Sequence, residues 1–150
     1  MSLKQTLIEQ INSGKIVFDN NSSELKTQLL GENAGQLITE SLQKLILFLS
    51  RNTASYIRIS SIVRDTEAPS HHGKRRAVDI GNEEIAEEIL GVISNDLQVS
   101  LHNIDEIIFD AGGATPLSRN KWNYNNGVRH EFNNATLSGH SNHIHISVKL

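Results

Sequence analysis

The sequence predicts an α+β fold, a small antiparallel sheet bearing a polar site on one face with helices packed on the other. Two observations predict it. Apolar residues recur at helical spacing through the first fifty positions, whereas from position 56 they collect in short runs of strand character. The chain then ends in strict alternation, His143-Ile144-His145-Ile146-Ser147-Val148-Lys149-Leu150, the period of a half-buried strand. At 150 residues, one domain is expected, with 1–50 as mostly helical scaffold and 56–150 as sheet and site-bearing loops.

Taken in order, 3–11 reads as an amphipathic helix with Leu3, Leu7 and Ile11 on one face, stopped by Asn12-Ser13-Gly14. Residues 15–18 suit a short strand, and 19–23 form a polar loop whose Ser23 is placed to cap a helix from Glu24. The longest helix is expected over 33–50, with Leu37, Ile38, Leu42, Leu45, Ile46 and Leu49 inward. Strands are expected at 57–63, 77–80, 104–109 and 143–149, a loop at 64–69, and an acid-fronted helix at 83–93. Residues 111–142 are polar and rich in Gly and Asn, an unusually long connection of the kind that often binds something. Trp122 and Tyr124 within it are candidate walls of a substrate groove.

Composition narrows the function classes. A net charge of −3 implies no general attraction to nucleic acid or anionic membranes, and Lys74-Arg75-Arg76 is a short basic run expected on a solvated loop. The longest apolar run, Leu45 to Leu49, is far too short to span a bilayer. Gln5, Glu9 and Gln10 interrupt the start, so no secretory signal is expected there. There is no cysteine, so a metal here must be held by His and carboxylate ligands.

Histidines gather in two places, Ser70-His71-His72-Gly73 and His140-Ser141-Asn142-His143-Ile144-His145. His143 and His145 fall on one face of the last strand, and His140 can approach from the turn before it. Asp79 lies on an apolar strand, where a carboxylate should be paired or metal-bound. We therefore expect His72, Asp79 and His145 to close on one divalent metal. A catalytic zinc site takes three protein ligands and keeps one position open. His143 is placed to act as general base and Arg64 to hold an oxyanion or a substrate carboxylate.

These residues carry a resemblance. Ser70, His72, Ala77 and Asp79 stand in register with a Ser-x-His-x-x-Gly-x-Ala-x-Asp signature, followed by a His-containing strand near the C-terminus. The pattern resembles the zinc metallopeptidase group (M15-like, LAS-type) that includes D-Ala-D-Ala carboxypeptidases, murein endopeptidases and the Hedgehog signalling domain. The strand ending in Arg64 is similar to the strand-then-Arg segment of the carboxypeptidase branch. The His140-x-x-His143-x-His145 ending is closer to that of the murein endopeptidases. The resemblance implies a Hedgehog/DD-peptidase-like fold, Zn2+ on His72, Asp79 and His145, His143 as base, and Ser70 and His140 as substrate or supporting contacts. It departs at the signature glycine, which is Arg75 here.

The expected function is zinc-dependent hydrolysis of peptidoglycan stem or cross-link peptides, by a carboxypeptidase or endopeptidase. Its substrate would lie outside the cytoplasm, which without a signal implies export by phage lysis or a secretion apparatus. The alternative is a catalytically inactive zinc-stabilised binding module of the same fold. A non-haem iron oxygenase also uses two His and one carboxylate, but the seven-residue offset between His72 and Asp79 disfavours its usual His-x-Asp pair.

Overall fold

In the computed structural model, residues 1–64, 70–72 and 75–150 are described. Most of the expected 64–69 loop, together with Gly73 and Lys74, lies outside them.

The chain opens with α1 (Leu3–Asn12), which Ser2 and Gln5 start with a reciprocal capping box. β1 (Ile16–Phe18) follows, then a one-turn 3-10 segment at Asp19–Asn21, and α2 (Ser23–Leu30). Ser22 rather than Ser23 caps α2, its hydroxyl accepting from the Leu25 amide. The long helix expected over 33–50 is divided. A 3-10 turn (Ala34–Gln36) gives way to extended backbone, and α3 (Glu40–Asn52) begins only after Thr39 accepts from the Leu42 amide. A threonine side chain here stops the helix from running back toward position 33, and Leu37, expected inward, is exposed.

β2 (Ile57–Ser61) and β3 (Ala77–Ile80) come next. A 3-10 turn at Glu83–Ile85 leads into α4 (Ala86–Ile93), then α5 (Asp96–Leu101) and β4 (Ile104–Ile108). The polar stretch 111–142 is more ordered than expected. It holds α6 (Pro116–Arg119), a two-rung hairpin of β5 (Tyr124–Asn125) and β6 (Val128–Arg129), and α7 (Asn134–Ser138). β7 (Ile144–Val148) closes the chain.

All four expected strands join one sheet, but that sheet has seven strands, ordered β1-β2-β3-β7-β4-β5-β6, and it is mixed. β1 runs parallel to β2, and the other pairs are antiparallel. The parallel edge arises because α2 and α3 carry the chain back across the sheet between β1 and β2, as a crossover must.

Alternation sorts the strands into two faces. Ile57, Ile59, Val78, Ile80, Ile144, Ile146 and Val148 are fully buried with Leu7, Leu42, Leu45, Ile46 and Leu49 of α1 and α3 and Ile89 and Ile93 of α4. Side chains one residue out of step, such as Asp79, His145 and Ser147, point to the other face.

Two irregularities adjust that alternation. Between Ile59 and Ser61 the register of β2 against β3 slips by one residue, so Ile59 pairs with Ile80 while Ser61 pairs with Asp79. The same happens in β4, where Ile104 pairs with Val148 but Glu106 with Ser147. An extra residue lets apolar and polar residues two apart in sequence serve opposite faces.

The signature's glycine position also has a local answer. Arg75 adopts φ +64, a left-handed conformation, and its amide donates to the His72 carbonyl at 3.0 Å. The backbone keeps the turn a glycine would favour, at a cost of about 1–2 kcal/mol for a residue with a Cβ. Its neighbour Arg76 is not part of a solvated basic run. It is buried, donating to Asp105 at 3.0 Å and to the Val148 carbonyl at 2.9 Å.

Urea unfolding should read this turn directly. Arg75→Gly should keep wild-type stability or gain up to about 1 kcal/mol, and the β-branched Arg75→Val should lose about 1–2 kcal/mol. Equal losses for both would show that the Arg75 side chain, and not its backbone conformation, matters.

Candidate metal centre

The site is built across the centre of the sheet. Asp79 on β3 and His145 on β7 are register partners, so both side chains leave the same face side by side. His72 arrives from the turn before β3 and is fixed by the backbone that follows β2. Its Nδ1–H donates to the Ile62 carbonyl at 2.6 Å. All three residues are buried, and each offers a ligand atom within 4.8 Å of the others.

The hydrogen bonds decide which nitrogens face inward. With Nδ1 donating to a carbonyl, a neutral His72 presents a bare Nε2, and that atom lies 3.0 Å from Asp79 Oδ1. His145 is turned the other way. Its Nε2 lies 3.0 Å from Glu106 Oε1, which leaves Nδ1 facing the same Asp79 oxygen at 3.2 Å.

Two imidazole lone pairs and a carboxylate oxygen thus converge on one point. That arrangement needs either a second proton on each ring or a cation among them. A divalent metal fits the donor set: two nitrogens and one oxygen, with no thiolate. Metal–ligand bonds of about 2.0–2.2 Å put neighbouring donors of a tetrahedral shell roughly 3.3 Å apart, close to the 3.0 and 3.2 Å that separate the Asp79 oxygen from the two ring nitrogens.

The electrostatics agree. Burial alone would raise the Asp79 carboxyl, but hydrogen bonds from His145 and His72 outweigh it and hold Asp79 well below the usual carboxylate range. Burial would lower His145, yet its bonds to Asp79 and Glu106 raise it above the ordinary imidazole value.

The other expected residues take distinct places. Arg64 reaches Asp79 Oδ2 at 3.6 Å, with its side chain 58% exposed. His143 Nε2 is 3.9 Å from the same oxygen, and its Nδ1 lies 2.9 Å from Asn142 Oδ1. Burial first, then the neighbouring His140, His145 and Arg64, lower the His143 pKa against the pull of Asp79, so its ring is neutral at neutral pH. His140 donates from Nδ1 to the Thr136 carbonyl at 2.7 Å, its ring 5.0 Å from that of His143 and 5.8 Å from that of His145. Ser70 is exposed at the start of the His72 turn.

Trp122 and Tyr124 are not brought to this site. Tyr124 pairs with Ile107, whose partner on β7 is Ile146, so its ring leaves the helix-packed face, opposite to His145. It is buried, its hydroxyl donating to Asp96 at 2.8 Å. Trp122 packs on the hydrophobic core with Lys121 over its ring. The open side of the centre is instead a cleft of about 1110 Å³ that reaches from Asp79, Arg64 and His143 to residues 19–25.

Glu106 is the residue that sequence reasoning missed. Burial raises its carboxyl, but hydrogen bonding to His145 and the nearby His71 bring it below its ordinary value. His71 Nδ1 stands 2.6 Å from Glu106 Oε1 and 2.8 Å from Ser147 Oγ. This is the carboxylate–histidine arrangement that fixes a metal-binding imidazole's tautomer and tilt. A carboxylate on an apolar strand was the available signal, the same one that pointed to Asp79.

Calorimetric zinc titration should give one site per chain, abolished in His72→Ala and weakened about 10–100-fold in Glu106→Ala. Unchanged affinity in Glu106→Ala would remove its orienting role. The stability that zinc adds should also grow as pH rises. The raised His145 pKa stabilises the metal-free protein below the unfolded-state value, and that contribution is lost as pH rises through the folded value. Thermal melts with and without zinc at pH 6, 7 and 8 should therefore diverge with pH; parallel curves would contradict the assignment.

No protein-family model, curated protein or solved structure matches this chain.

Proposed function

We propose that this chain is a zinc-dependent peptidase acting on peptidoglycan stem or cross-link peptides, with a fold of the Hedgehog/DD-peptidase kind. The observation that carries the reading is the convergence of His72 Nε2, His145 Nδ1 and Asp79 Oδ1 at the end of an open polar cleft. The Ser70-His72-Ala77-Asp79 register and the His-x-His strand supply the resemblance to cell-wall peptidases. Bound zinc would polarise the scissile carbonyl and lower the pKa of a water toward about 7.

The chain's own groups then have separate tasks. His72, Asp79 and His145 would hold the ion, and Glu106 fixes the orientation of the His145 ring. His143, neutral and beside the ligand set, takes a proton from the attacking water and delivers it to the leaving amine. Arg64, exposed next to Asp79, stabilises the developing oxyanion or binds the substrate carboxylate. His140 packs against His143 and limits its rotation.

The decisive comparison is between wild type and His143→Ala, each loaded with one zinc, on purified muropeptides. Cleavage should fall about 100-fold or more in the variant, with metal content unchanged. In wild type, kcat/KM should decline on acidification through a pKa below the ordinary imidazole value, because His143 must be neutral. Stoichiometric zinc with no turnover of any muropeptide by wild type would favour the zinc-stabilised binding module instead.

A further inference from the structure

The far wall of the cleft comes from a part of the chain that the metal-site motifs do not reach. β1 pairs with β2 from Ile16↔Ile57 to Phe18↔Ile59 and stops there, while β2 runs on to Ser61. Continued in register, Asp19 and Asn20 would lie beside Ser60 and Ser61. Instead Asn20 and Asn21 both adopt left-handed backbone, φ 53 and 51, and turn the chain off the sheet. Ser60 and Ser61 then have no strand on that side among the described residues, and the cleft occupies the gap.

The departure is anchored. The Arg58 guanidinium pairs with Asp19 and also donates to the Gly81 carbonyl at 2.7 Å. A Cβ at Gly81 would meet that guanidinium at 3.0 Å, so a larger residue at position 81 would press on the anchor. Asparagine tolerates left-handed backbone better than other residues with a Cβ, which suits two in succession to this turn.

The chemistry of the gap points to its occupant. Amides, hydroxyls and charged groups line it, with Leu25 and Val63 as its apolar residues, the His143 imidazole at one end, and no Phe, Tyr or Trp. Pockets for compact small molecules are mostly apolar and aromatic. The Asn20 and Asn21 side chains are exposed and make no hydrogen bond among the described residues. Each carboxamide offers a donor and an acceptor together, the complement of a peptide group.

We propose that this gap is a peptide-binding subsite: an extended segment lies beside Ser60–Ser61, in the lane β1 vacates, and Asn20 and Asn21 bind its main-chain amides. Arg64 and His143 line the same cleft, past Val63, whose main chain is held by the Gln28 side chain. The subsite selects an extended, polar peptide by its backbone, leaving recognition of charge to Arg64. This rests on the peptidase reading for its substrate class, though not for its existence as a binding lane.

The double variant Asn20→Gly/Asn21→Gly tests it, because glycine keeps the left-handed turn without strain and removes both carboxamides. On a peptidoglycan stem pentapeptide, KM should rise about tenfold with kcat within about twofold and zinc content unchanged. NMR titration of the zinc-loaded protein with the same pentapeptide keeps the test separate from catalysis. The amides of residues 19–24 should shift, with Kd about tenfold weaker in the double variant, even if no bond is cut. Shifts without turnover would sink the peptidase reading and keep the subsite. Unchanged KM or Kd in the double variant, or no shift at 19–24 at millimolar peptide, would overturn the subsite.

Discussion

One carboxylate oxygen, Oδ1 of Asp79, organises this protein. Imidazoles from the middle and the end of the chain both aim at it, and neither can be satisfied by it alone while neutral. Much of the surrounding structure serves to hold that meeting. The β3–β7 register places Asp79 beside His145. The Ile62 carbonyl and Glu106 occupy the outward nitrogens of the two rings, so their lone pairs face inward. Burying this many polar groups is costly unless each has a partner, and the three convergent donors could take a divalent cation as theirs.

Irregular backbone does the placing. The bulge in β4 lets Ile104 remain with the core while Glu106 reaches the site face, and the bulge in β2 does the same for Ile59 and Ser61. Arg75 holds a left-handed turn between His72 and β3, and Asn20 and Asn21 hold another where β1 leaves the sheet. The site and the cleft thus lie where regular alternation is interrupted, and the helices on the opposite face supply the stability that tolerates the interruptions.

How much of this was legible in the sequence depends on the range of the signal. The last strand could be read because strict alternation survives wherever one face is buried, and the same pattern put Asp79 on a strand where its carboxylate stood out. Glu106 obeyed that logic too, but the bulge broke the two-residue rhythm that would have assigned its face. The 33–50 helix was overextended because apolar spacing continues through Leu37 and Ile38, while the cap at Thr39 acts through one hydroxyl. Tyr124 departs from its expected place for a different reason. A polar, asparagine-rich neighbourhood suggests an open loop, yet a two-rung hairpin extends the sheet there and turns the ring into the core. The parallel pairing of β1, and with it the cleft, depends on contacts between residues some forty positions apart, which no local pattern encodes.

X-ray absorption at the zinc edge tests the central claim most directly. The zinc-loaded protein should show a first shell of nitrogen and oxygen alone at about 2.0–2.1 Å, with outer-shell scattering from two imidazoles. Replacing His145 with alanine should remove one of them. A shell without imidazole, or a purified chain that takes up no zinc, would contradict the account.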